Sequence, residues 1–417
     1  MKKIELHLLQ NFAPSNLNRD DTGAPKDCEF GGHRRARISS QCQKRAVRQV
    51  FEMDRLVDKE NRGARTKRLI QKVADVLHDM HCHEREAALQ LAIAAIEGVG
   101  LGRNKKGDGE DLLKTEYLLF VPGRIVNEIA AVVHEHHADL QAWARHKQEH
   151  EKADKQEAEG KHKKDAKKAA QGAYPKEVRE AVETSLRNTQ RTVDIALFGR
   201  MIADKPEWNV DAACQVAQAI STNRVQMDFD FFTAVDDLRP RETAGSDMMG
   251  TVQFNSSCFY RYAVIDVDSL RKNLKGDIGP NEADLADAEL DALVRRAVGA
   301  FMQAFVTAIP TGKQNGMAAH NFPSYVLGIV REDGQPLSLA NAFLRPARPR
   351  GDDVDLVDDS IEKLESYAVR LRGALGETPW ISWADRDLES HDMHPTRART
   401  LSEFYGCVTK LALGAEA

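Results

Sequence analysis

The first hydrophobic pattern along the chain is an alternation in which Ile4, Leu6 and Leu8 are separated by polar residues. A period of two residues predicts a β-strand with one buried face. The stretch 11–32 follows and is rich in Asn, Asp, Pro and Gly. It predicts a loop, and loops of this length are more often functional than simple connections.

The next pattern has a helical period, and Ser39 and Ser40 precede it as good N-cap residues. Lys44, Arg48 and Arg55 fall roughly opposite the apolar side. Gly31 and Gly32 stand before the helix, where they allow unusual backbone dihedral angles or a close approach of another chain. The predicted buried face consists of Cys42, Ala46, Val50, Met53 and Val57.

Similar patterns predict the remaining elements. Helices are predicted at 65–80, 84–97, over most of 124–190, at 212–222, 285–308, 357–374 and 400–413, and strands at 117–121, 193–198, 229–235, 248–267 and 325–330. Two of these strands flank a polar loop at 239–247, which indicates a long β-hairpin. The order of elements favours an α+β fold with helices on one face of the sheet, compatible with a much-inserted RRM-like domain.

Composition places limits on this picture. The 417 residues carry a formal net charge of -5 and are 42% hydrophobic, so the chain can bury a core but cannot bind nucleic acid indiscriminately. Its six cysteines form no CxxC pair, which gives no sign of a zinc knuckle or a disulfide framework. Neither a signal peptide nor an apolar run of membrane-spanning length occurs, and we expect a cytoplasmic protein without membrane contact.

One window departs from the overall acidity, because no carboxylate occurs between Glu29 and Glu52. Solvated faces usually mix charges of both signs, so this surplus favours a polyanion site over a plain basic helix flank. An anion near Ser39, Ser40 and Gln41 would meet free backbone N–H groups, hydroxyls and an amide. The cations of the window are Arg34, Arg35, Arg37, Lys44, Arg45 and Arg48.

Two other features allow more than one interpretation. The charged stretch 147–171 favours an exposed helical insertion, because its acids offset many of its lysines, but a second RNA or DNA contact stays open. The apolar residues Val235 and Met249 flank the hairpin loop. Such residues wedge between stacked bases or pack on a neighbouring subunit, and the sequence weighs the two equally.

Candidate catalytic and metal-binding groups are few. Asp20 and Asp21 beside Arg19 could bind Mg²⁺ and cut a phosphodiester, although a charged turn paired with the basic helix is favoured. The pair at 236–237 is interpreted in the same way. The segment 81–84, His-Cys-His-Glu, lacks partners at conventional ligand spacing and is interpreted as a helix terminus. We therefore predict no catalytic residue, no metal and no cofactor.

Several motifs together resemble one known family, the CasC backbone subunits of type I-E CRISPR Cascade. They span most of the chain in the same order. The matching blocks are 17–21 (LNRDD), 26–27, 30–32 (FGG), 34–35, 37–41 (RISSQ), 44–46, 193–197 (VDIAL), 199–201 (GRM), 232–238 (FTAVDDL), 259–263 (FYRYA) and 338–343. This chain differs from the family pattern at His33, Gln43, Phe198 and Met249, where Lys, Leu, Ser and Leu are expected.

The resemblance implies an RRM-like (ferredoxin-like) palm, a helical fingers insertion and a β-hairpin thumb. It assigns 1–60, 191–228 and 257–417 to the palm and C-terminal helices, 61–190 to the fingers and 229–256 to the thumb. Contacts to the RNA backbone are expected from the cations of the acid-free window together with Arg19, Lys26, Ser39, Ser40 and Gln41. Met201, Phe232 and Thr233 would surround a displaced nucleotide, and Val235 and Met249 would wedge the guide.

The function implied by this resemblance is CRISPR RNA binding in a surveillance complex for antiviral defence. The expected partners are CRISPR RNA, target DNA reached through guide pairing, further copies of the chain and other Cascade subunits. Two alternatives stay open. One is a metal-dependent endoribonuclease of a related CRISPR class, and the other is an oligomerisation scaffold whose hairpin only grips its neighbours.

Overall fold

A computed structural model describes most of the chain. The described residues are 2–104, 109–156, 174–188, 190–202, 205–234, 248–276, 285–376, 378–388 and 395–415. They form two compact units. The first comprises Met1–Val57, Ala213–Leu270 and Asp291–Ala417, and the second comprises Asp58–Ala212 and Arg271–Leu290.

The helices are α1 Ser40–Met53, α2 Leu69–Asp79, α3 Arg85–Gly98, α4 Ile125–Glu135, α5 His137–Gln156, α6 Lys176–Arg187, α7 Val193–Phe198, α8 Val267–Lys275, α9 Asp287–Thr307, α10 Gln314–Met317, α11 Leu356–Leu375 and α12 Leu401–Leu413. The strands are β1 Lys3–Ser15, β2 Asp27–Phe30, β3 His33–Ile38, β4 Gly63–Thr66, β5 Leu119–Pro122, β6 Cys214–Val216, β7 Ala219–Ser221, β8 Asp228–Ala234, β9 Met248–Asp266, β10 Tyr325–Arg331, β11 Trp380–Ala384 and β12 Thr396–Arg397.

The first unit is organised around one mixed sheet. Its strand order is β12-β11-β10-β1-β9-β7-β3-β2, and β6 and β8 also pair with β9. Strand β1 lies in the middle and pairs antiparallel with β9 and β10. The predicted first strand is confirmed, and so are the α+β class and the RRM-like palm.

Helices cover both faces of this sheet, so the predicted single covered face is wrong. Leu327 and Ile329 pack in a cluster with residues of α11. Between them, Gly328 faces the other way, and a Cβ there would lie 2.8 Å from Val408 of α12. The polar residues of β1 are consequently buried as well. His7 hydrogen-bonds Tyr260 through Nδ1, and Glu5 pairs with Arg331, so each of these buried side chains has a polar partner within the core.

Three further predictions were wrong in detail. The segment 193–198 is helix α7 rather than a strand; all six residues are buried, so no polar face reveals the helical period. The segment 212–222 contains the short strands β6 and β7 rather than a helix, because pairing with β9 overrides local periodicity. The loop expected at 11–32 contains the end of β1 and all of β2.

The second unit is mainly helical. Helices α2 to α6 bury an aliphatic core that includes Val73, Leu91, Ile129 and Val182. The helices predicted near 65–80 and 84–97 and within 124–190 are confirmed where the residues are described. Most of the charged stretch 147–171 lies outside the described residues, and so do residues 236–237 and the loop of the long hairpin. None of the described helices has the length and apolarity needed to span a bilayer. The palm, fingers and thumb bounds stay predictions.

Candidate nucleic-acid interface

The acid-free window begins at the turn of a β-hairpin, and the second strand of this hairpin leads into α1. Strands β2 and β3 pair antiparallel across Gly31 and Gly32, which have φ values of 61° and 72°. These left-handed conformations favour glycine. A Cβ on Gly31 would also lie 2.7 Å from the carbonyl oxygen of Leu344. Strand β3 then pairs with β7 and ends beside the N-terminus of α1.

Ser39 caps α1 as predicted. Its Oγ accepts a hydrogen bond from the N–H of Cys42 at 3.3 Å, and its own N–H donates to Oδ1 of Asn18 at 2.8 Å. Ser40 and Gln41 occupy the first turn, where backbone N–H groups have no partner within the helix. That turn contains no acidic residue. The positive end of α1 is therefore not neutralised by a carboxylate of its own first turn, and a helix end of this kind favours an anion.

An open cleft of about 510 Å³ lies beside α1 and is lined by Arg19 and Arg45 together with Asn18 and Gln49. Both arginines are exposed. Thr311 and Gly312 line the same cleft. Two predicted RNA-binding arginines, distant in sequence, thus share one surface concavity.

Asp20 and Asp21 also line this cleft, and Asp20 has a structural role there. Its Oδ1 accepts hydrogen bonds from the N–H and hydroxyl of Thr22 and from the N–H of Ala24. The hydrogen bond from Thr22 is the main cause that holds the pKa of Asp20 below its usual value. Asp20 thus shapes its own turn and does not form the ion pair with the basic helix that the sequence predicted.

The other predicted contacts differ in exposure. Arg34 is exposed and pairs with Asp27 at 2.6 Å. Arg37 is half-buried and donates to Asp27 O and Gln218 Oε1. Lys26, Lys44 and Arg48 are also half-buried. Each of these side chains keeps surface available to a ligand, and their contacts to RNA stay predictions.

Arg35 is a correction. Its side chain is fully buried, and its guanidinium donates to the backbone oxygens of Ser221, Thr222 and Phe343 at 3.1, 2.6 and 2.5 Å. Burial lowers its pKa. A group enclosed in this way cannot reach a phosphate, so the predicted RNA contact at Arg35 is wrong. Arg35 instead fixes the β2–β3 hairpin to the sheet.

Sequence reasoning also missed how α1 is held on the sheet. Gln43 is buried and donates to Ala217 O at 2.9 Å, while its Oε1 accepts from Nε of Arg261 at 3.3 Å. Burial lowers the pKa of Arg261 to about 10. Met53, predicted on the buried face, is 70% exposed, and Val57 lies beyond the helix end. The one sequence feature that indicated this anchor was the polar amide of Gln43 close to the apolar face of the predicted helix.

The long hairpin of β8 and β9 is confirmed. Every residue of β8 is exposed, including Phe232 and Thr233, and Met249 of β9 pairs with Thr233 and is 67% exposed. The ring of Phe232 lies over Gly250, where an added Cβ would approach it to 2.4 Å. Val235 lies outside the described residues. The sequence analysis did not predict a role for Phe229 and Phe231. These two residues lie on the same face of β8, and both are more than 60% exposed.

Met201 belongs to the second unit and is 84% exposed. The residue before it, Arg200, is buried and donates to the backbone oxygens of Leu186 and Trp208. Burial lowers the pKa of Arg200 to about 10. Arg200 thus fixes the backbone that displays Met201. The joint contact of Met201 and Phe232 with one nucleotide stays a prediction.

The two glycines of the β2–β3 turn give a matched pair of substitutions. We expect Gly32→Ala to cost about 1 kcal/mol, because only the positive φ opposes a side chain and no atom lies within 4 Å of the added Cβ. Gly31→Ala should cost about 2–4 kcal/mol, because the added Cβ also clashes with Leu344. Urea unfolding measures both, and equal costs would contradict the close approach.

Comparison with known proteins agrees with this architecture. A family model described as CT1975-like protein matches residues 4–405. A solved chain described as "CRISPR RNA-guided surveillance complex, pre-nicking" is 29% identical with a TM-score of 0.80, and the match covers 98% of this chain and 100% of that one. Another, described as "CRISPR RNA-guided surveillance complex", is 25% identical with a TM-score of 0.71 at the same coverage. No curated protein sequence matches the chain.

Proposed function

The chain belongs to the CT1975-like protein family, and from this we propose that it is the guide-RNA-binding backbone subunit of a CRISPR surveillance complex of type I-E, the CasC type. The observation that carries the proposal is the cleft beside α1, where Arg19 and Arg45 share one surface concavity along a helix whose first turn lacks acids. A groove of this kind contacts phosphates and carries no base readout, so it accepts any guide sequence.

In this proposal the chain holds RNA and does not cut it. Further copies bind along the same strand, and other subunits complete the complex. Target DNA is then recognised by pairing with the presented bases, so that sequence specificity comes from the RNA. The use of Asp20 within its own turn supports binding over metal-dependent cleavage at this cleft.

The test is expression of the full chain with its partner subunits and a CRISPR array transcript, followed by sequencing of the RNA that co-purifies. We expect guide RNA of defined length. Absence of nucleic acid from an assembled complex would overturn the proposal in favour of the scaffold alternative. Incubation of the complex with complementary RNA and Mg²⁺ tests the nuclease alternative, which metal-dependent cleavage abolished by Asp21→Ala would support.

The hairpin supplies a second part of the proposal, in which Met249 wedges between segments of the bound guide. Met249 and Met248 are neighbours on β9 and are 67% and 60% exposed, but they point to opposite faces of the hairpin. We expect Met249→Asp to leave folding intact and to reduce the yield of RNA-bound complex about tenfold or more, since an aspartate replaces an apolar contact next to phosphates. Size-exclusion chromatography with quantified RNA measures this.

Met248→Asp is the matched control, because it introduces the same charge one residue away on the other face. Comparable assembly of the Met248→Asp protein and the unmodified chain is expected. Equal losses in both variants would contradict a face-specific wedge, and normal assembly of Met249→Asp would remove Met249 from the proposal.

A further inference from the structure

The cleft beside α1 contains one charged group that phosphate binding does not use. Asp21 lines the cleft together with Arg19 and Arg45, and all three side chains are exposed. Within the described part of the chain, the Asp21 carboxylate forms no hydrogen bond or ion pair, in contrast to that of Asp20. An ionised carboxylate only accepts hydrogen bonds, as a phosphate does. Asp21 therefore repels the phosphates that the two arginines attract, so a ligand that fits the whole cleft carries a hydrogen-bond donor as well.

The fold holds Asp21 at a fixed place on the wall of the cleft. Its turn is closed by a hydrogen bond from the N–H of Asp20 to the carbonyl oxygen of Ala24 at 2.9 Å. The neighbouring wall packs directly on the chain before this turn, because a Cβ added to Gly312 would lie 2.3 Å from the carbonyl oxygen of Leu17. An acceptor that is held in this way loses little conformational freedom when a donor binds to it.

We infer that Asp21 accepts a hydrogen bond from a ribose 2′-hydroxyl of the bound strand, so that this cleft selects RNA over DNA; the inference rests on the proposed binding of a guide strand here. A strand held by its phosphates offers two kinds of donor, the 2′-hydroxyls and the N–H groups of the bases. The 2′-hydroxyl lies on the sugar between successive phosphates, next to the groups that Arg19 and Arg45 bind. It both donates and accepts, and it distinguishes RNA from DNA.

The same carboxylate acts against DNA. A deoxyribose has no 2′-hydroxyl, so a DNA strand in the cleft would leave Asp21 facing phosphates without a donor. Discrimination by one group thus has an attractive part, a charge-assisted hydrogen bond to RNA, and a repulsive part against DNA. Every ribonucleotide carries the same hydroxyl, so this selection is independent of base sequence and is compatible with a guide of any sequence.

The experiment measures binding of the full chain to three fluorescent single strands of one mixed sequence in EDTA: RNA, 2′-fluoro RNA and DNA. The fluoro strand keeps the sugar conformation of RNA but lacks the 2′-hydroxyl donor. We expect the unmodified chain to bind RNA about tenfold to a hundredfold more tightly than either other strand, as a hydrogen bond to a charged group provides. Asp21→Ala should weaken RNA binding by about this factor and should not weaken DNA binding, so that the preference is lost.

Asp353→Ala is the matched control, because it removes the same charge from an exposed carboxylate of the same unit that does not line the cleft. It should leave the preference for RNA unchanged. Since the exposed Asp21 carboxylate has no partner among the described residues, we expect circular dichroism and urea unfolding of Asp21→Ala to match those of the unmodified chain.

Three results would overturn the inference. Equal affinity of the unmodified chain for RNA and 2′-fluoro RNA would exclude the hydroxyl contact, and a preference retained in Asp21→Ala would assign it to another residue. A preference that appears only after Mg²⁺ replaces EDTA would mean that Asp21 acts through a metal ion. In the first two cases tight binding of all strands leaves the proposed guide-binding function intact, whereas absence of binding to any strand would overturn both.

Discussion

Replacing Arg19 and Arg45 together by alanine is expected to weaken binding of single-stranded RNA about tenfold to a hundredfold for each arginine. Both side chains are exposed and line the cleft beside the N-terminus of α1. A hydrogen bond to a charged group contributes about 1.5–3 kcal/mol, and every 1.4 kcal/mol is a factor of about ten in affinity. Fluorescence anisotropy with RNA of mixed sequence, repeated at several salt concentrations, measures the change.

The salt dependence makes this test specific. Loss of two phosphate contacts should reduce the slope of log K against log salt by about 1.4, because each contact to a single strand releases about 0.7 counterion. Arg370→Ala with Arg399→Ala is the control, since it removes the same charge from exposed arginines of the same unit that do not line the cleft. An equal change of slope in both variants would mean that net charge, and not the cleft, binds the RNA.

The sequence predicted the local features of this cleft well. The Ser39 cap depends on residues adjacent in the chain, and both glycines of the hairpin turn have the positive φ angles that glycine adopts readily. The helix predicted at 285–308 is confirmed as Asp287–Thr307, and its buried residues Leu293, Val294 and Phe301 repeat with a clear helical period. Local backbone preference and amphipathic period are properties that a short window of sequence contains.

What the sequence could not supply was the environment of polar residues from distant segments. Arg34 and Arg35 are neighbours of the same type, yet one is exposed and the other is fully buried. Because side chains alternate along β3, Arg34 and Arg35 must lie on opposite faces of the strand, but this alternation does not show which of them faces the core. That choice depends on the carbonyls of Ser221, Thr222 and Phe343, which are more than 180 residues away. For the same reason the sequence did not show the hydrogen bond between Gln43 and Arg261, which are also distant in the chain.

The contrast between buried Arg35 and exposed Arg34 leads to the prediction with the largest expected effect on stability. Arg35→Met should lower the free energy of unfolding by about 3–5 kcal/mol, because methionine fills much of the space but removes a buried donor from each of three carbonyl oxygens. The Thr222 oxygen keeps its hydrogen bond from the N–H of Ala347. Arg34→Met, one residue away, removes an exposed charge paired with Asp27 and should change stability little. Urea unfolding followed by circular dichroism measures both. If Arg34→Met were as destabilising as Arg35→Met, or if Arg35→Met bound less RNA while its stability stayed unchanged, Arg35 would contact the ligand and would not anchor the hairpin.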